Sequence, residues 1–144
     1  METHVNNRAK TRVEVINLLR SRAITPTEQR IEIGQLLFNE TQHITADILL
    51  EKVNKGRNKV SKATVYNTLG LFAQKGLIRE VIVDPNRLFY DTNLEPHHHF
   101  YYSDTERLED VSAEQVNINK LPDLPEGMDI EGIDVIIRVR PATK

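Results

Sequence analysis

The sequence has no cysteine among its 144 residues. That absence excludes disulfides, thiolate catalysis, cysteine-based zinc sites and cysteine-ligated haem. Any metal must be held by histidine, aspartate, glutamate or water. No apolar run approaches the roughly 20 residues that a membrane-spanning helix needs. Met1 to Lys10 is polar and lacks the apolar core of a secretory signal. These absences lead to the expectation of a cytoplasmic protein with no membrane partner. Internal repeats and low-complexity tracts are also missing. Histidine is scarce, five in all, yet three stand together as His97, His98 and His99.

What is present is an ordinary globular composition, 39% hydrophobic and 28% charged, enough to bury a core. The net charge of −2 conceals an imbalance. Met1 to Tyr90 holds 14 Lys/Arg against 9 Asp/Glu, whereas Asp91 to Lys144 holds 5 against 12. A basic half suited to phosphates, joined to an acidic half, suggests two jobs. The expected division is residues 1–92 and 93–144.

The first half reads as four helices and a hairpin. Arg8 to Arg22 is a first helix with Val15, Ile16, Leu18 and Leu19 inward. Thr25 caps the second, with Pro26 in its first turn and Glu28 closing a capping box; it ends near Asn39. Thr45 caps the third, with Ile48, Leu49 and Val53 inward. Ser61 caps the fourth, with Val65, Leu69 and Phe72 on one face and Gly76 at its end. Ile78 to Val83 is a strand, Asp84 to Arg87 a turn, and Leu88 to Asp91 the returning strand. Helices followed by a hairpin is the order of a winged helix, with the third and fourth helices as the helix-turn-helix.

In the fourth helix the apolar residues take one face. Lys62, Thr64, Tyr66 and Asn67 are left in its first turns, the surface a recognition helix presents to the major groove of double-stranded DNA. Lys62 would meet phosphate, while Thr64, Tyr66 and Asn67 would meet base edges or sugar–phosphate. Arg87 at the hairpin tip would reach a neighbouring groove as a wing.

After Asp91 the pattern becomes that of a small antiparallel β unit. His97 to Tyr102 is a strand, Ser103 to Arg107 a turn and Leu108 to Val111 its partner. Val116 to Leu121 is a further short strand, Pro122 to Gly127 a loop or single helical turn, and Asp134 to Arg140 the last strand. About 50 residues are too few for a secure core, so this half is expected to complete itself in a homodimer.

On a strand His97 and His99 share one face and His98 takes the other. His-x-His offers two imidazoles to one metal. Asp91 at the end of the wing, Asp110 on the returning strand and His43 in the loop before the third helix can add to them. His4 lies in the polar N-terminal stretch and is left out of the set. Imidazoles with carboxylates suit Fe(II), Mn(II), Zn(II) or Co(II). A metallohydrolase is an alternative for a His-x-His chain, though it needs a general base and further ligands in a cleft.

These residues occur in segments that resemble the ferric uptake regulator family. The segments are Thr25 to Arg30, His43 to Ala46, Val60 to Leu69, Gly76 to Ile78 and the His-x-His of His97 to His99. The resemblance implies an α+β fold, with an N-terminal winged helix-turn-helix domain and a small C-terminal α/β dimerisation domain. It implies a homodimer that binds operator DNA under control of a metal, and no enzymatic activity. By position, the regulatory metal site corresponds to His43, Asp91, His97 and His99. Asp110 stands where peroxide-sensing members have a further carboxylate, and Tyr66 where the family has a DNA-contacting tyrosine.

Two departures stand out. The two cysteine positions of the Cys-x-x-Cys that holds a structural zinc in many members read Tyr102 and Thr105 here, so that zinc site is absent, and the helix before the last strand is shortened to Leu121–Met128. Both departures resemble the iron response regulator branch, whose members answer to iron through haem and typically act as repressors of iron and haem genes. Haem in this chain would need His97, His98 or His99. A peroxide-sensing Fe or Mn repressor is the alternative within the family, and an iron-activated repressor a third.

Overall fold

Thr11 opens the first helix in the computed structural model, which describes residues 7–56 and 60–143; His4 lies outside the described residues. The Thr11 hydroxyl accepts the Glu14 N–H at 3.1 Å, and the Glu14 carboxylate accepts the Thr11 N–H at 3.0 Å. This reciprocal pair satisfies two amides that the helix cannot. Helix α1 is therefore Arg12–Ser21, starting later than the sequence pattern suggests. The residues ahead of it are held by tertiary bonds instead. Ala9 N–H donates to the Phe38 carbonyl at 2.9 Å, and the buried Asn7 amide donates to the carbonyls of Leu77 at 3.0 Å and Thr92 at 2.7 Å.

Helix α2 is Glu28–Phe38, and its cap is Thr27 rather than Thr25. The Thr27 hydroxyl accepts the Arg30 N–H at 3.3 Å. Glu28 does not reach back to close a box on Thr25, because its carboxylate is committed to the Arg12 guanidinium. At the other end of α2, the Gln42 side-chain amide donates to the carbonyls of Leu36 at 2.8 Å and Leu37 at 3.1 Å, carbonyls that a helix end leaves without partners.

Helix α3 (Ala46–Val53) and helix α4 (Lys62–Gln74) begin at Thr45 and Ser61 as expected from their hydroxyls. Ile48 of α3 is not inward as its spacing suggests but 45% exposed; Leu49 and Val53 fill the core. Helix α4 ends in a Schellman motif. Gly76 sits at φ +78, Leu77 N–H donates to the Phe72 carbonyl at 2.9 Å, and Gly76 N–H donates to the Ala73 carbonyl at 3.1 Å.

The helical core closes on Phe38 and Phe72, whose ring centroids are 5.6 Å apart, with Leu19, Ile33, Leu37, Leu49 and Leu69 around them. Helices α1 and α2 meet closely at Gly34, where a Cβ would lie 2.7 Å from Val15 Cγ1.

A three-stranded antiparallel sheet of order β1-β3-β2 completes this unit: β1 is His43–Ile44, β2 Arg79–Asp84 and β3 Arg87–Asp91. Strand β1 was expected to be loop, since two residues are too few to show a period. It exists because β3 offers it an edge, in the register His43↔Asp91.

The chain divides into the units Met1–Leu94 and Glu95–Lys144. The second holds β4 (His97–Tyr102), β5 (Arg107–Ser112), a 3-10 turn (Ala113–Gln115) and β6 (Ile136–Val139), in the order β5-β4-β6. The unit is not wholly antiparallel: β6 runs parallel to β4. Strand β5 ends beside the start of β4, with Ser112 opposite His97, and β6 begins at that same end beside His99. A strand entering there runs with β4. Val116 to Leu121 forms no strand, and no α-helix occurs among the described residues of this unit. The class is α+β, with a helical, winged first unit and a β-rich second one. No helix among the described residues is long and apolar enough to cross a membrane.

Three substitutions test these contacts in urea unfolding. Thr27→Ala lowers stability by about 1 kcal/mol, while Thr25→Ala leaves it unchanged. Gly34→Ala, which intrinsic helix preference favours by about 1 kcal/mol, instead destabilises by about 1–3 kcal/mol, because the stiff, buried Val15 cannot yield.

Candidate metal centre and nucleic-acid interface

In the first unit, β1–β3 pairing sets His43 opposite Asp91. Thr92 reinforces the register. Its N–H donates to the Gln42 carbonyl at 3.1 Å and its hydroxyl accepts the Gln42 N–H at 2.9 Å. His43 Nε2 stands 3.5 Å from Asp91 Oδ2, and the other Asp91 oxygen accepts the Asn93 N–H at 2.9 Å. Asp91 is only 1% exposed.

In the second unit, β4 and β5 make the corresponding arrangement. His97 lies opposite Ser112 and His99 opposite Asp110. Asp110 Oδ1 is 3.3 Å from His97 Nε2 and 3.5 Å from His99 Nε2, and the two imidazoles meet edge to face at 4.6 Å. The His97 Nδ1 faces the Glu95 carbonyl at 2.5 Å. A carbonyl only accepts, so Nδ1 donates to it, and Nε2 is the nitrogen turned toward Asp110. Donor atoms bound at about 2.0–2.2 Å to one ion sit roughly 3–3.5 Å apart, which is the spacing found here. Two imidazoles with one carboxylate form a donor set that suits Fe(II), Mn(II) or Zn(II).

His98 departs from its neighbours. It lies on the opposite face, and its Nδ1 accepts the Val135 N–H at 3.1 Å. That bond pins the start of β6 to β4 and commits one ring nitrogen to the fold.

The residues singled out for DNA all lie in the first unit. Asn54 links α3 to α4: its amide donates to the Val60 carbonyl at 2.7 Å and its oxygen accepts the Val60 N–H at 2.9 Å. Sequence reasoning missed this clamp, for an isolated asparagine in a turn has no period. Along α4, Tyr66 is 42% exposed and Lys62 reaches over its ring at 5.7 Å from the centroid. Lys62 also stands 4.0 Å from the Asp47 carboxylate. Asn67 is exposed and Thr64 half-buried, its hydroxyl accepting from the capping Ser61 at 2.9 Å.

Arg87 lines a cleft of about 600 Å³ with Tyr66, Asp47, Glu51 and Tyr90. Burial, Glu80 and Tyr66 push the Tyr90 hydroxyl above its usual pKa. A second, smaller cleft of about 300 Å³ is lined by Thr27, Gln29, Arg30, Thr64, Asn67 and Thr68. It joins the start of α2 to the outer face of α4.

Comparison with known proteins places this arrangement. A family model described as the ferric uptake regulator family matches residues 21–137. The chain belongs to the ferric uptake regulator family. It is a metal-responsive transcription regulator of that family and not an enzyme, which sets aside the hydrolase alternative. It is 29% identical over 104 residues to the peroxide-responsive repressor of Staphylococcus aureus, covering 72% of this chain and 70% of that one.

The fold is shared with the ferric uptake regulator of Pseudomonas aeruginosa solved with manganese (TM-score 0.69, 20% identity, 90% of this chain and 98% of that chain). It is shared also with a zinc-bound manganese uptake regulator (TM-score 0.65, 22% identity, 89% and 98%). A Campylobacter jejuni peroxide stress regulator gives a TM-score of 0.59 at 22% identity, covering 91% and 98%.

Metal titration separates the histidines. His99→Ala or Asp110→Ala weakens Mn(II) binding by at least ~10-fold, whereas His98→Ala leaves affinity unchanged and lowers thermal stability.

Proposed function

We propose that the protein is a dimeric, metal-dependent repressor that binds operator DNA through α4 and its wing, and that one metal ion is held by His43, Asp91, His97, His99 and Asp110. The observation that carries this reading is the pair of imidazole–carboxylate clusters, one in each unit, with nitrogen–oxygen separations of 3.3–3.5 Å. A divalent cation would offset the cost of burying a carboxylate such as Asp91. Ligands drawn from both units make the winged helix and the dimerising unit answer to one ion, so that occupancy favours the DNA-binding arrangement.

The signal proposed is peroxide. Asp110 completes a five-ligand set, and the curated relative reported above is named a peroxide-responsive repressor. Iron(II), when bound, supplies the one-electron chemistry by which peroxide oxidises a ligand imidazole. The chain's part is to hold His43 and His97 beside the ion, to shield them by burial and to fix the His97 tautomer through Glu95.

A second reading is iron sensing through haem, as in the iron response regulator branch. It is favoured by Tyr102 and Thr105 in place of the zinc-binding cysteines and by the missing helix between β5 and β6. His97, His98 and His99 are its candidate ligands, and His98 would have to bind through its Nε2, since Nδ1 serves Val135.

Anisotropy of labelled DNA from upstream of the protein's own gene, at fixed salt, tests these readings. Tight binding with Mn(II) or Fe(II), its loss in chelator, and its loss on peroxide treatment of the iron form are expected. Mass spectrometry then shows one added oxygen on a peptide holding His43 or His97. DNA binding that needs no metal and is abolished by haem would favour the second reading. Tyr66→Ala weakens DNA binding at least 10-fold with metal affinity intact; unchanged affinity would remove Tyr66 from the interface.

A further inference from the structure

The link from the end of β5 to the start of β6, Ala113 to Val135, is far longer than its task requires. Both ends lie at the end of the sheet where β4 begins, separated only by β4. Two strand spacings are about 10 Å, a gap that three extended residues bridge. Loops beyond about 12–15 residues without secondary structure are uncommon in a compact unit and usually functional.

This one is also apolar. Every residue from Asn117 to Asp134 is exposed, and among them are Ile118, Leu121, Leu124, Met128, Ile130 and Ile133, each at least 40% exposed. The sheet has the opposite shortage. Phe100 and Tyr102 of β4 and Ile137 and Val139 of β6 share one face by register, and none of the four is buried. The chain thus carries a loop without a surface and a surface only partly covered, and the loop does not lie on its own sheet.

We propose that the loop of one copy lies across this sheet face of a second copy, reciprocally, in place of the helix that the loop replaces. The inference rests on the homodimer of the proposed function. A two-fold axis brings each loop to the partner's face and satisfies both shortages at once. From Leu121 to Val135 the loop carries Asp123, Glu126, Asp129, Glu131 and Asp134 and no base, so two loops repel one another. By register the proposed face carries Arg107, which lies over the Tyr102 ring, and Glu109, while Arg138 stands with Tyr101 on the other face.

The experiment is complementation between two variants of the full chain, read by sedimentation velocity. Leu124→Asp with Ile130→Asp spoils the loop; Ile137→Asp spoils the face. All three side chains are exposed in the single chain, so circular dichroism of each variant should match that of the native protein. Each variant alone is expected to be monomeric where the native protein is dimeric, with dissociation constants raised at least 100-fold. Mixed, they form a heterodimer, because the sound loop of one meets the sound face of the other. Dimers from either variant alone at native affinity, or a mixture that stays monomeric, would overturn the exchange while leaving the dimer itself standing. A native protein that is monomeric with Mn(II) and DNA would overturn the dimer reading as well.

Discussion

A carboxylate as deeply buried as Asp91 has to be answered by positive charge, and much of the first unit is arranged around that need. Leaving an ionised group unpaired in an apolar setting is among the largest penalties a fold can carry. The wing strand β3 delivers Asp91 to the interior. A two-residue strand brings His43 against it, and Thr92 locks the register from both sides. Asn93 takes one carboxylate oxygen and leaves the other facing the imidazole.

The second unit repeats the device on a β hairpin. Here the alternation of a strand does the sorting. His97 and His99 face Asp110, while His98 is turned away and spends one nitrogen on the backbone of Val135. Three adjacent histidines therefore divide into two that turn Nε2 to Asp110 and one that fastens β6. That division matters for either signal, because a ligand drawing on His98 competes with a contact that holds the sheet together.

Much of this was legible from residues alone. The caps at Thr45 and Ser61, the Schellman glycine Gly76, the α4 core face and the His-x-His strand all follow from local chemistry, and the structure has each of them. What the pattern misplaced depended on distant partners. Thr25 lost the cap of α2 to Thr27 because Glu28 binds Arg12. Strand β1 and the Asn54 clamp involve too few residues to leave a period. Helix α1 starts late because Asn7 and Ala9 bond to segments up to 85 residues away. The parallel course of β6 follows from the end of the sheet at which the chain returns, information no strand carries in its own sequence.

X-ray absorption of the metal-loaded protein tests the central claim most directly, since it counts the imidazoles on the ion. With Fe(II) or Mn(II) at one equivalent per chain, the account predicts a shell of nitrogen and oxygen with three imidazoles, from His43, His97 and His99. A shell with two imidazoles would confine the ion to the second unit and contradict a site shared with the DNA-binding half.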